Sequence, residues 1–110
     1  MITTHVLDTA LGRPGRAIAV ELERVEGSKW KLVGGGITDS DGRLRTLTAE
    51  GSVQPGTYRI RFQTAAYFAA HQTQGFYPVV EIQFTVADSA QHYHVPLLLS
   101  PYGFSTYRGS

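Results

Sequence analysis

The chain has 110 residues, a formal net charge of +1 and no cysteine. The near-neutral charge gives no electrostatic case for nucleic acid or an anionic membrane as main partner, and the absence of cysteine excludes disulfides and thiolate catalysis. This length predicts one domain, residues 1–110, and no window approaches the ~18 apolar residues of a membrane span.

Short runs of alternating apolar and polar residues, separated by turn signals, predict an all-β sandwich. A strand-like segment follows Met1 directly, so nothing marks the chain for export and we expect a cytoplasmic protein. In chain order the remaining predicted strands are residues 18–23, 30–33, 43–48, 58–63 and 80–86, with turns at 12–15, 41–42 and 55–56. Residues 65–71 predict the one helix, about two turns long.

The last predicted strand carries the strongest pattern. Tyr93, Val95, Leu97 and Leu99 share one face, and His92, His94 and Pro96 share the other. Because the apolar face must be the core face, the two imidazoles should point toward solvent, a cleft or a partner subunit.

Three separated segments resemble the 5-hydroxyisourate hydrolases, which are transthyretin-like enzymes of purine breakdown. They are Thr4–Asp8, Thr38–Arg43 and the C-terminal region ending in Tyr107-Arg108-Gly109-Ser110, which is the most diagnostic. The resemblance implies a transthyretin-like sandwich of two four-stranded sheets with one short helix. It also implies a homotetramer, a dimer of dimers with composite sites in the clefts where the dimers meet.

The activity that the resemblance implies is hydrolysis of 5-hydroxyisourate to 2-oxo-4-hydroxy-4-carboxy-5-ureidoimidazoline, with no metal and no organic cofactor. Its implied catalytic residues are His5, Arg43, His94 and Ser110, and its implied substrate-binding residues are His5, Arg43, Tyr107 and Arg108. A histidine would activate water, and the arginines would orient the ring and stabilise negative charge. Which histidine takes the proton stays open. Arg45 is an alternative to Arg43, which the motif favours.

Other interpretations of these residues remain. His92 and His94 could be half of a metal site, although a third ligand is missing. Residues 39–42 resemble the start of a calcium loop, but a hairpin turn explains them better. His71 is expected to end the helix, and His92 to be structural.

Two other functions would share the fold. A transthyretin-type carrier of small ligands should lack the paired histidines and the arginine. An adhesion or interaction module would leave the polar C-terminus unexplained.

Overall fold

The computed structural model describes residues 1–110, which form nine strands and one helix. They are β1 Ile2–Asp8, β2 Arg13–Pro14, β3 Ala19–Glu26, β4 Lys29–Ile37, β5 Arg43–Leu44, β6 Gly56–Phe62, α1 Thr64–Ala70, β7 Val80–Val86, β8 Tyr93–Ser100 and β9 Gly103–Thr106. One sheet has the order β4-β3-β6-β7. The other has the order β2-β1-β8-β9, and β5 pairs with β1 as a fifth short strand. The predicted sandwich is confirmed.

The core lies between the two sheets and follows the predicted alternation. On β8 the side chains of Tyr93, Val95, Leu97 and Leu99 are all buried. Each such side chain contributes roughly 1.5–3 kcal/mol by leaving water. His94 is half-buried on the opposite face, so the predicted core face of this strand is confirmed.

The predicted strands 30–33 and 43–48 differ most from the structure in length. β4 continues through the triple glycine. The backbone of Leu47 packs so closely on it that a Cβ on Gly34 would lie 1.7 Å from the Leu47 carbonyl oxygen. A side chain there would displace the backbone, so glycine permits this close approach. Residues 43–48 do not form the single strand predicted. Only Arg43 and Leu44 pair, with β1, and the chain then leaves the sheet and passes over β4 with Leu47 buried.

The turn before β5 has the geometry expected of a hairpin. The carboxylate of Asp39 accepts the backbone N–H groups of Asp41 and Arg43, both at 2.9 Å, and these bonds hold the pKa of Asp39 below its usual value. Gly42 has φ +76°, in the left-handed region that favours glycine. This turn fixes the start of β5 against β1.

The helix begins one residue earlier than predicted, at Thr64, and also ends one residue earlier, at Ala70, with His71 as its C-cap. The hydroxyl of Tyr67 donates to the carboxylate of the buried Asp8 at 2.6 Å, which ties the helix to β1. Burial, followed by this bond to Asp8, raises the pKa of Tyr67. No helix has the length and apolar composition needed to cross a membrane.

Candidate active site

The outer face of β1 and β8 carries a cavity of about 260 Å³. These strands are parallel, and the register places Thr3 opposite His94 and His5 opposite Pro96. Eight residues line the cavity: Met1, Thr3, Thr4, Arg43, Arg45, His92, His94 and Ser110. Four distant segments of the chain therefore contribute to one cavity, and β1 and β8 form its floor.

Thr3 connects the two imidazoles of the cavity. Its Oγ1 lies 2.8 Å from Nδ1 of His94 and 2.7 Å from Nε2 of His92. A hydroxyl has one hydrogen to donate and can accept further bonds through its lone pairs. Hence at least one of these two ring nitrogens must carry a hydrogen and donate to Oγ1. The protonation patterns of the two imidazoles are coupled through this hydroxyl.

His94 is the cavity histidine whose charge state is displaced. Desolvation lowers its pKa, and the nearby positive groups of His92, His5 and Arg43 lower it further. The imidazole is therefore neutral at neutral pH and able to accept a proton. Because Nδ1 is held by Thr3, Nε2 is the nitrogen left for a ligand.

His5 lies beside this cavity and not in its wall. It is the register partner of Arg43 across β1 and β5, and its Nε2 lies 2.9 Å from the backbone oxygen of Asp41. A carbonyl can only accept, so Nε2 carries the hydrogen and Nδ1 is the free basic nitrogen of neutral His5. The turn at residues 39–42 therefore positions both His5 and Arg43.

The C-terminal residues pack directly against His94. The backbone N–H of Gly109 donates to the carbonyl of His94 at 2.8 Å. A Cβ on Gly109 would lie only 2.6 Å from Cδ2 of the His94 ring. Glycine is needed because the backbone passes directly over the edge of the imidazole, and this passage brings Ser110 to the cavity.

Tyr107 and Arg108 lie elsewhere. They line a second cavity of about 240 Å³ with residues of β7 and the core-facing side of β8. The guanidinium of Arg108 stacks on the ring of Tyr93, 4.5 Å from its centroid, and donates to Gln91 at 2.9 Å. Within one chain, the structure brings together Arg43, His94 and Ser110, with His5 adjacent, but not Tyr107 or Arg108.

The sequence analysis missed Thr3, although its alternation with His5 along β1 could have placed both on one face. Arg45, left open, lines the cavity together with Arg43. No group of three His, Cys, Asp or Glu side chains is arranged to hold a metal ion.

A family model described as the HIUase/Transthyretin family matches residues 2–109. The chain belongs to this family. A relative from Salmonella typhimurium, named 5-hydroxyisourate hydrolase, is 41% identical over 110 residues, which cover 100% of this chain and 81% of that protein. These findings confirm the predicted family and the hydrolase class.

Two solved structures of family members resemble the fold. The 5-hydroxyisourate hydrolase of Klebsiella pneumoniae has a TM-score of 0.86 and 33% identity, covering 99% of this chain and 92% of that one. Sea bream transthyretin in complex with thyroxine has a TM-score of 0.93 and 28% identity, covering 98% and 93%. The backbone alone therefore does not separate hydrolases from transthyretins, and the side chains of the cavity must do so.

Proposed function

We propose that this member of the family hydrolyses 5-hydroxyisourate, opening the six-membered ring at an amide bond to give 2-oxo-4-hydroxy-4-carboxy-5-ureidoimidazoline. The observation that carries the proposal is the cavity that combines a neutral, partly desolvated His94 with Arg43. The hydrolase names of relatives that are 41–46% identical support the same substrate.

In the proposed mechanism, water attacks the ring carbonyl while Nε2 of His94 takes its proton. The guanidinium of Arg43 donates hydrogen bonds to the developing oxyanion. Collapse of the tetrahedral intermediate breaks the C–N bond, and the proton on His94 passes to the departing ring nitrogen. His5 and Ser110 orient the substrate from neighbouring positions, and the residues need no cofactor for these steps.

We further infer that the working site is composite, in a homotetramer built as a dimer of dimers. A flat sheet face supplies only one wall of a pocket, and here the outer face of β1 and β8 also bears apolar side chains. Leu7 is 38% exposed and is the register neighbour of Leu98. A second copy on this face would cover both leucines and supply the missing wall. In a closed two-fold arrangement each copy would do the same for the other. The substrate-binding role of Tyr107 and Arg108 stays a prediction, because both residues lie at the core-facing side of β8 and outside this cavity.

The activity is tested by following the absorbance of freshly generated 5-hydroxyisourate with and without the protein. We expect decay well above the spontaneous rate. His94→Asn should remove about 10²–10⁴-fold of the acceleration, the usual worth of a general base, and His92→Asn much less. His71→Asn is the matched control, because that imidazole lies at the helix end and bonds the backbone of Tyr67. No acceleration by the wild type, or equal losses in all three variants, would contradict the proposal.

Assembly is tested separately by light scattering. Leu98→Asp should yield smaller species with reduced activity, whereas Leu32→Asp, at a 58% exposed leucine of the other sheet, should change neither. A monomeric, fully active wild type would disprove the composite site.

A transthyretin-type carrier remains the second candidate, favoured by the backbone match to the thyroxine complex. Tight binding of 5-hydroxyisourate analogues or thyroxine without turnover would favour it. The charged and imidazole-rich cavity wall argues for chemistry instead.

A further inference from the structure

Thr3 is almost completely buried, at 4% exposure, yet its hydroxyl lies between two imidazoles at hydrogen-bond distance from both. The hydroxyl of Thr3 has no hydrogen-bond partner besides these two rings, so when both rings are neutral and Oγ1–H donates to one of them, two arrangements of hydrogens are possible. In the first, Oγ1–H donates to Nδ1 of His94, and His92 donates to Oγ1. In the second, Nδ1–H of His94 donates to Oγ1, and Oγ1–H donates to Nε2 of His92.

The two arrangements have opposite consequences for His94. A neutral imidazole carries one hydrogen, so donation from Thr3 to Nδ1 places that hydrogen on Nε2. Nε2 then has no lone pair for a proton from water. In the second arrangement Nε2 carries no hydrogen and can accept a proton. The imidazolium formed by protonation there has its Nδ1–H already bonded to Oγ1 of Thr3. No hydrogen bond has to be rearranged during the proton transfer.

We propose that Thr3 is a positioning residue that holds His94 in the Nδ1–H tautomer and directs a bare Nε2 into the cavity, with His92 as the terminal acceptor of the chain His94–Thr3–His92. This inference rests on the proposed function, because the need for a base at Nε2 selects the second arrangement, and the tautomer itself can be measured without turnover. It gives His92, which the sequence suggested to be structural, a defined part as an acceptor.

The neighbouring His5, Arg43 and Gly109 are compatible with this chain. His5 donates its only neutral-state hydrogen to the Asp41 carbonyl and so does not compete for Thr3. The guanidinium of Arg43, on the β5 side, disfavours a positive charge on His94, in agreement with a neutral imidazole there. Gly109 packs against Cδ2 of the His94 ring, which is on the other side of Cγ from Nδ1, the nitrogen that contacts Thr3.

The experiment is long-range ¹H–¹⁵N NMR of the imidazoles in the full-length labelled protein, read above the pKa of both rings. In the wild type we expect His94 to be the Nδ1–H tautomer. Thr3→Ser should keep this tautomer, and Thr3→Val should show the other tautomer or a mixture of both. A wild-type His94 in the Nε2–H tautomer would overturn the proposal, and so would a tautomer unchanged in a folded Thr3→Val. If Thr3→Val does not fold, the wild-type and Thr3→Ser spectra decide.

The kinetic counterpart uses the same variants. Thr3→Val should lower kcat by about 10- to 100-fold, less than loss of the base itself, with little change in KM. Thr3→Ser should retain most of the wild-type kcat, because serine keeps the hydroxyl and lacks only the methyl group. A loss in Thr3→Ser equal to that in Thr3→Val would assign Thr3 a packing role and refute the inference. An inactive wild type with the expected tautomer would refute the proposed function and leave the hydrogen-bond chain intact.

Discussion

Replacing Gly109 by alanine should displace the His94 ring and reduce kcat/KM by about 10²-fold. The added Cβ would lie 2.6 Å from Cδ2 of His94 and 3.2 Å from Cγ of Pro96, whereas ordinary contact begins at 3.4 Å. The ring or the C-terminal backbone must therefore shift by about 0.8 Å. A misplacement of about 1 Å in a catalytic group can cost about 10²-fold in rate. Proline and the β8 backbone cannot yield easily, so the imidazole should be displaced from the position in which its Nδ1 bonds Thr3.

The assay is kcat/KM on freshly generated 5-hydroxyisourate, with thermal denaturation measured in parallel. Gly103→Ala is the matched control in the same sheet, because its Cβ would meet only Oγ of Ser100, at an ordinary 3.7 Å. We expect the control to retain activity. Wild-type activity in Gly109→Ala, or the same loss in both variants, would refute the reasoning that backbone contact at Gly109 positions His94.

Five further outcomes follow from the structure. The acid limb of the kcat/KM–pH profile should lie below pH 6.5, the usual imidazole value, because desolvation and neighbouring positive charge lower the pKa of His94; a limb above 6.5 would contradict this base. For the same reason His94 contributes stability that is complete above the unfolded pKa and declines as pH falls toward the folded one, which urea denaturation at several pH values can check. Exhaustive chelation should leave activity unchanged, and a loss that zinc restores would indicate a metal site. Deleting residues 108–110 should abolish turnover while circular dichroism is nearly unaltered, and an active deletion would remove this segment from the site. Tyr67→Phe should cost about 1–3 kcal/mol of unfolding free energy, since it leaves a buried carboxylate oxygen of Asp8 without its donor, with kcat unaffected.

The fold was predictable because alternation alone assigns the faces of β3, β6, β7 and β8. A one-residue slip would send every core side chain of β8 to solvent, so the pattern determines register strongly. The same alternation places Glu23 of β3 and Arg59 of β6 on the outer face of their sheet, where they meet at 2.8 Å. What alternation cannot give is a long-range neighbour such as the parallel partner of β1.

Thr3 illustrates that limit. Its closeness to His92 and His94 depends on the parallel register of β1 and β8, which are separated by most of the chain. Alternation assigns His92 and His94 to one face, but it cannot show that the Thr3 hydroxyl lies between their rings. The role of the triple glycine of β4 was likewise not predictable from sequence. Small residues are needed there because Leu47 and Leu44 pack against the strand, and only the fold brings these leucines near.

The C-terminal tetrapeptide shows why a contiguous motif need not be a contiguous site. Arg108 stacks on Tyr93, whose ring faces the core, whereas Gly109 packs on the imidazole of His94, which faces outward. The chain therefore passes from one side of β8 to the other at Gly109. Only a residue without Cβ can make that passage against the ring edge while its N–H bonds the His94 carbonyl. Arg108 thus secures the segment against the core side, and Gly109 brings Ser110 to the cavity, so the motif couples the anchoring of the segment to the placement of the His94 imidazole.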